Sequence, residues 1–97
     1  MTSDAKVTGE TCFRVRSDVH ARQFQDDLVV LDLAAGEYFS LDALGARVWG
    51  ELSRGRSLGQ VVDALAGDYD VEVSRLRADL VGFAEELVRR GLLEVGA

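Results

Sequence analysis

Residues 27–52 read DLVVLDLAAGEYFSLDALGARVWGEL, and the fold follows from the way this stretch changes period. Leu28 to Leu33 is rich in β-forming aliphatic residues and reads as a strand, Ala34-Ala35-Gly36 as a tight turn in which Gly36 takes the positive φ, and Glu37 to Leu41 as a second strand. Along that second strand Phe39 and Leu41 share one face, Tyr38 and Ser40 the other. Asp42 then opens a helix without a loop, its carboxylate suited to accept from the free amides of the first turn. Leu44, Val48, Trp49 and Leu52 recur at helical spacing and give that helix an apolar stripe.

Upstream, Val19 to Phe24 alternates and pairs with Leu28 to Leu33 across Gln25-Asp26-Asp27, completing a three-stranded antiparallel meander. The parity sets Phe24 on the face opposite Val19 and Ala21, so a core position for it requires a bulge. Cys12 to Arg16 reads as a short extended arm, interrupted by Ser17-Asp18, and residues 1–11 as a loose polar terminus. Downstream, Ser57-Leu58-Gly59-Gln60 is a capping box that starts a second helix with Leu58, Val61, Val62 and Leu65 inward, closed at Gly67. Tyr69 and Val71 of the connector are expected to point inward. From about Val73 to Arg90 runs the longest helix. Val73, Leu76, Leu80, Phe83 and Leu87 form its main stripe, and Val81, Ala84 and Val88 a second one. Glu85–Arg89 and Glu86–Arg90 are i,i+4 pairs, Gly91 suits a left-handed C-cap, and Leu92 to Val95 allows a short closing strand. The fold class is therefore α+β, winged-helix-like, with a three-stranded antiparallel sheet packed on three helices. Residues 12–97 make a single domain.

The 97 residues suffice for one modest core, and 47% apolar content suits a globular fold. There is no apolar run of the roughly 20 residues that span a bilayer, and MTSDAKVTGE lacks the pattern of a signal peptide, so a cytoplasmic location is expected. One cysteine, one histidine and scattered serines offer no nucleophile with a base, no metal-ligand spacing and no phosphate loop. No enzyme activity, cofactor or metal is expected. A net charge of −6 opposes a phosphate backbone. The last helix carries Arg75, Arg77, Arg89 and Arg90 but also Glu72, Asp79, Glu85 and Glu86, unlike a DNA-reading helix. A winged-helix DNA-binding regulator is the rival reading, and no nucleic-acid or membrane partner is expected.

What remains is an outer strand beside a helix with a surplus apolar stripe. An extended peptide adding along Glu37 to Leu41 gains main-chain hydrogen bonds and buries alternate side chains against the helix. The plainer alternative is that both stripes are core.

The strings VVLDLAAGEYFSLDALGARVWGEL, LGQVVDALAGDYDV and ADLVGFAEELVRRGLLEV resemble PqqD-like proteins, the leader-binding recognition elements of ribosomally made, post-translationally modified peptide (RiPP) pathways. The resemblance covers about Val19 to Val95 and is most specific in GEYFSLDALGARVW and in Asp79-Leu80 with Gly91-Leu92-Leu93. It implies a non-catalytic peptide chaperone whose third strand and third helix share a groove for a precursor's leader peptide. Carried over by position, the strand contacts are Glu37, Tyr38, Phe39, Ser40 and Leu41, and the helix wall is Arg77, Leu80, Val81, Ala84 and Val88. Family members commonly have Asn-Pro where this chain has Asp42-Ala43, which keeps the cap and loses the rigid first turn. Length and form look most like the stand-alone leader-binding proteins of lasso-peptide pathways, which implies a leader-cleaving cysteine protease or another modifying enzyme as partner. A relative serving a radical-SAM enzyme is the alternative client. The same open strand also offers a route to a homodimer.

Overall fold

A computed structural model describes residues 7–96. Its elements run β1 (Phe13–Val15), β2 (Val19–Phe24), β3 (Asp27–Asp32), β4 (Glu37–Leu41), α1 (Ala43–Ser53), α2 (Leu58–Asp68), α3 (Val73–Arg89) and β5 (Leu93–Val95). The three-stranded antiparallel sheet has the order β2-β3-β4, and three helices follow it, as the periodicity of the sequence requires. The arm and the closing strand find each other: β1 pairs antiparallel with β5, Phe13 opposite Val95 and Val15 opposite Leu93.

Local chemistry sets the boundaries. The β2–β3 turn has Gln25 at φ 58°, and the β3–β4 turn has Gly36 at φ 69°, where the glycine escapes the Cβ penalty. Asp42 accepts from the Gly45 amide at 2.9 Å and starts α1 with no proline. Ser57 and Gln60 close the capping box at α2 reciprocally.

The first two amides of α2 are satisfied from an unexpected source. Leu58 N donates to Thr11 O at 3.0 Å and Gly59 N to Gly9 O at 2.8 Å, so the chain before β1 caps the helix. Of the terminus expected to be loose, residues 1–6 lie outside the described residues. Residues 7–11 are instead pinned, with Val7 in the core. A Cβ on Gly59 would stand 2.9 Å from the Gly9 carbonyl oxygen. Gly59→Ala is therefore expected to speed amide hydrogen exchange at Leu58 and Gly59 by displacing that segment. Global stability should change by only about 1 kcal/mol, since alanine is the better helix former.

The core is one cluster built from Val7, Phe13, Val19, Val30, Val48, Trp49, Leu52, Leu58, Val61, Val62, Leu65, Leu76, Leu80, Ala84, Leu87, Leu92 and Leu93. α1 packs on α2, on β1 and on β3 and β4, so it joins the two sheets; α3 packs on α2 and β5.

Phe24 stays on the face that parity gives it. No bulge interrupts β2: its register runs unbroken from Val19–Asp32 to Phe24–Asp27, and Phe24 is left 66% exposed. Only Val19 of that strand is buried, because α1 packs on β3 and β4 and no helix packs comparably on β2. Three expectations need correction. Tyr69 and Val71 are exposed, since the chain leaves α2 in an extended conformation at Tyr69, where Arg47 pairs with Asp68 and lies over the Tyr69 ring. Leu44 and Val73, each in the first turn of its helix, are likewise exposed. Finally, the two stripes of α3 are not separate surfaces, for Ala84 is as fully buried as any residue of the main stripe.

Candidate functional site

β4 is an edge of its sheet, and the hydrogen-bond phase shows which of its peptide groups are vacant. Just past β3, Leu33 N donates to Asp18 O at 2.9 Å. Odd-numbered residues of that strand therefore turn their peptide groups toward β2 and even-numbered ones toward β4. Leu28, Val30 and Asp32 bond to their partners Leu41, Phe39 and Glu37. The N–H and C=O groups of Tyr38 and Ser40 consequently point away from the sheet. Among the described residues, no bond outside the regular elements occupies them.

Side chains divide as the alternation predicts. Phe39 and Leu41 lie half-buried on the helix side, packed at the margin of the core, while Tyr38 is 71% exposed on the other face and Ser40 is exposed with it. Glu37 is exposed at the hairpin end.

The helix wall is placed differently from the expectation. α3 packs extensively on α2 and β5, and β4 on β3 and α1. Across the space between them, the Arg90 guanidinium lies over the Phe39 ring, 4.9 Å from its centroid. Arg90 Nε also donates to Glu86 at 2.6 Å. The flank of α3 toward β4 is thus the one bearing Arg90 and Glu86, and the helical period adds Phe83, which is half-buried at the core margin.

Of the five wall residues expected from the sequence, Leu80 is 4% and Ala84 0% exposed, so both serve the core. Val81 and Val88 are half-buried about 160° around the helix from the Phe83–Arg90 line. Arg77 is drawn to the N-terminal segment, where a Cβ on Gly9 would lie 3.0 Å from its Nη1. The structure brings Glu37 to Leu41 together as a strand but does not bring Arg77, Val81 and Val88 to it. Arg90 was visible in the sequence only as half of an i,i+4 surface pair. Nothing in the spacing shows its reach to Phe39, which depends on where the sheet lies.

Glu86 serves two guanidiniums, bonding Arg89 as well as Arg90, while the expected Glu85–Arg89 bridge is not formed. The Arg89 hydrogen bond first, and then that of Arg90, holds the Glu86 carboxyl below its ordinary value of 4.5. Because the folded value is the lower one, the contribution to stability is complete above about pH 4.5 and is lost as pH falls through the folded value. Carboxyl NMR should show a Glu86 midpoint below 4.5 that moves upward in Arg89→Gln.

No constellation for chemistry accompanies this strand. Among the described residues there is no group of three or more His, Cys, Asp or Glu side chains placed to hold a metal. No described helix is long and apolar enough to cross a membrane. A hollow at the hairpin end, lined by Arg16, Asp18, Asp32 and Gly91 among others, has its buried acid engaged, since Asp32 Oδ1 accepts from Ala35 N at 3.2 Å.

Comparison with known proteins bears on this geometry. Residues 27–93 match the family described as coenzyme PQQ synthesis protein D (PqqD). A chain from the structure of TbiB1 in complex with the TbiA(β) leader peptide is 34% identical, with a TM-score of 0.80, covering 87% of this chain and 98% of that one. A chain from lasso peptide synthetase B1 complexed with the leader peptide is 28% identical, also with a TM-score of 0.80, covering 84% and 96%. No curated protein matches the sequence.

Proposed function

Because this chain belongs to the PqqD family, we propose that it is a leader-peptide-binding protein, a RiPP recognition element that captures a precursor, of the lasso-peptide type, by adding the leader as a strand along β4. The observation that carries this is the outward-facing pair of peptide groups at Tyr38 and Ser40, on an edge that has α3 nearby to supply a second wall. Backbone pairing gives affinity with little demand on sequence, and the inward side chains of the guest give selectivity. Support comes from the two similar proteins, both of which were solved with leader peptides.

In this reading the protein does no chemistry itself and needs no cofactor. It tethers the precursor so that the modifiable part reaches a leader-cleaving cysteine protease, or another modifying enzyme, at raised effective concentration. It works in the cytoplasm, where such precursors are made. The proposed contact strand is Glu37 to Leu41, and the wall is Phe83, Glu86 and Arg90. Two copies compete with the leader when they pair through the same edge, so binding should weaken at protein concentrations where a dimer forms.

The test is a pair of titrations with the purified protein, one with the TbiA(β) leader peptide and one with duplex DNA. Saturable leader binding and no salt-sensitive DNA binding is the expected result. DNA binding without leader binding would transfer the assignment to a winged-helix regulator.

A further inference from the structure

The guanidinium of Arg90 is held from two sides, by Glu86 at its Nε and by the Phe39 ring over which it lies, yet its side chain is 49% exposed. Among the described residues, Nη1 and Nη2 donate to no protein acceptor, because the one hydrogen bond of this side chain is made by Nε. The single Glu86 carboxylate is also shared with Arg89, so two positive groups meet one negative group at this end of α3. In a chain of net charge −6, Arg90 thus brings a half-exposed positive group beside the vacant strand, whose own charged side chain is Glu37 at the hairpin end.

The strand phase says what meets it. Tyr38 and Ser40 face outward with their peptide groups, so an antiparallel guest would hydrogen-bond at those two positions. Its residue opposite Phe39 would then form a non-hydrogen-bonded pair, the pair type with the closer side chains. That guest side chain shares the face of Phe39 and is aimed at the fork of Arg90. A planar guanidinium fixed at Nε and held over a ring keeps its remaining donors, a fork that suits a carboxylate, available.

Resting on the leader-binding reading, we propose that Arg90 is a specificity-determining residue that selects a leader with an acidic side chain, Asp or Glu, at the position across from Phe39. Phe39 acts as a positioning residue, keeping the guanidinium over the edge strand. A lysine or arginine at that guest position meets the Arg90 guanidinium and is disfavoured.

The experiment uses a positional set built on the TbiA(β) leader peptide, each residue replaced in turn by Glu, Gln and Arg, titrated by fluorescence polarisation against the wild-type protein, Arg90→Gln and Phe39→Leu. One guest position should prefer Glu over Gln by about three- to tenfold, a charge-assisted bond discounted for exposure. That preference should disappear in Arg90→Gln, shrink in Phe39→Leu and fall with added salt. Circular dichroism of both variants shows that the sheet is intact, and the quantity compared is the Glu-to-Gln affinity ratio within each protein, not its absolute affinity. Binding with no acid preference at any position, with an aromatic preference instead, or with an acid preference that survives Arg90→Gln overturns this inference and leaves leader binding standing. If no peptide of the set binds, the leader-binding reading fails and this inference fails with it.

Discussion

Ser40→Pro should weaken leader binding by roughly tenfold or more while leaving the fold intact. The substitution removes an N–H that points away from the sheet, and an acceptor on the guest left without a partner costs about 1–3 kcal/mol. The proline ring also occupies the path along which the guest must lie. The sheet itself tolerates the change because β4 is an edge and the lost donor serves no bond to β3. Ser40→Ala is the matched control, since the hydroxyl is on the face away from the helices, and it should bind as the parent does. Circular dichroism melts of both variants keep a folding defect from being mistaken for a binding defect. Undiminished binding by folded Ser40→Pro would place the guest elsewhere.

The second large effect is on stability. Leu52 is 0% exposed in α1, the helix that touches both sheets and α2. Leu52→Ala should cost about 2–5 kcal/mol through lost burial and the cavity left behind. For a domain of this size that lowers Tm by roughly 10–30 °C, a large part of the ~5–15 kcal/mol that holds such a protein folded. Chemical denaturation should show a lower midpoint with an unchanged slope. At low temperature the folded variant should still bind leader, because Leu52 does not reach the β4 edge. A loss of less than about 1 kcal/mol would mean that α1 is not the junction described here.

Much of the architecture was legible in the sequence because short-range rules agree along it. Alternation in Glu37 to Leu41, the cap at Asp42 and the capping box at Ser57 are local signals, and the structure keeps each of them. Long-range partnerships were not legible. Nothing in Cys12 to Arg16 announces that β1 will pair with β5 about 80 residues later, or that Thr11 and Gly9 will cap α2. The same limit explains the helix wall. Periodicity gives the angular order of Arg77, Val81, Ala84 and Val88 on α3 but not the direction in which the sheet lies, and the Arg90–Phe39 contact is what supplies that direction. Tyr69 and Val71 were misread because hydrophobicity in a short connector carries no period, so it cannot distinguish inward from outward.

The sheet has two rims, and they are unequal. Along β2 only Val19 is buried, and its neighbours His20, Arg22 and Gln23 are exposed. A ribbon zipping onto that rim would gain peptide bonds with little apolar support behind it, and polar groups there discourage chance pairing. Recognition needs a rim backed by a second surface, which makes this domain a one-sided clasp.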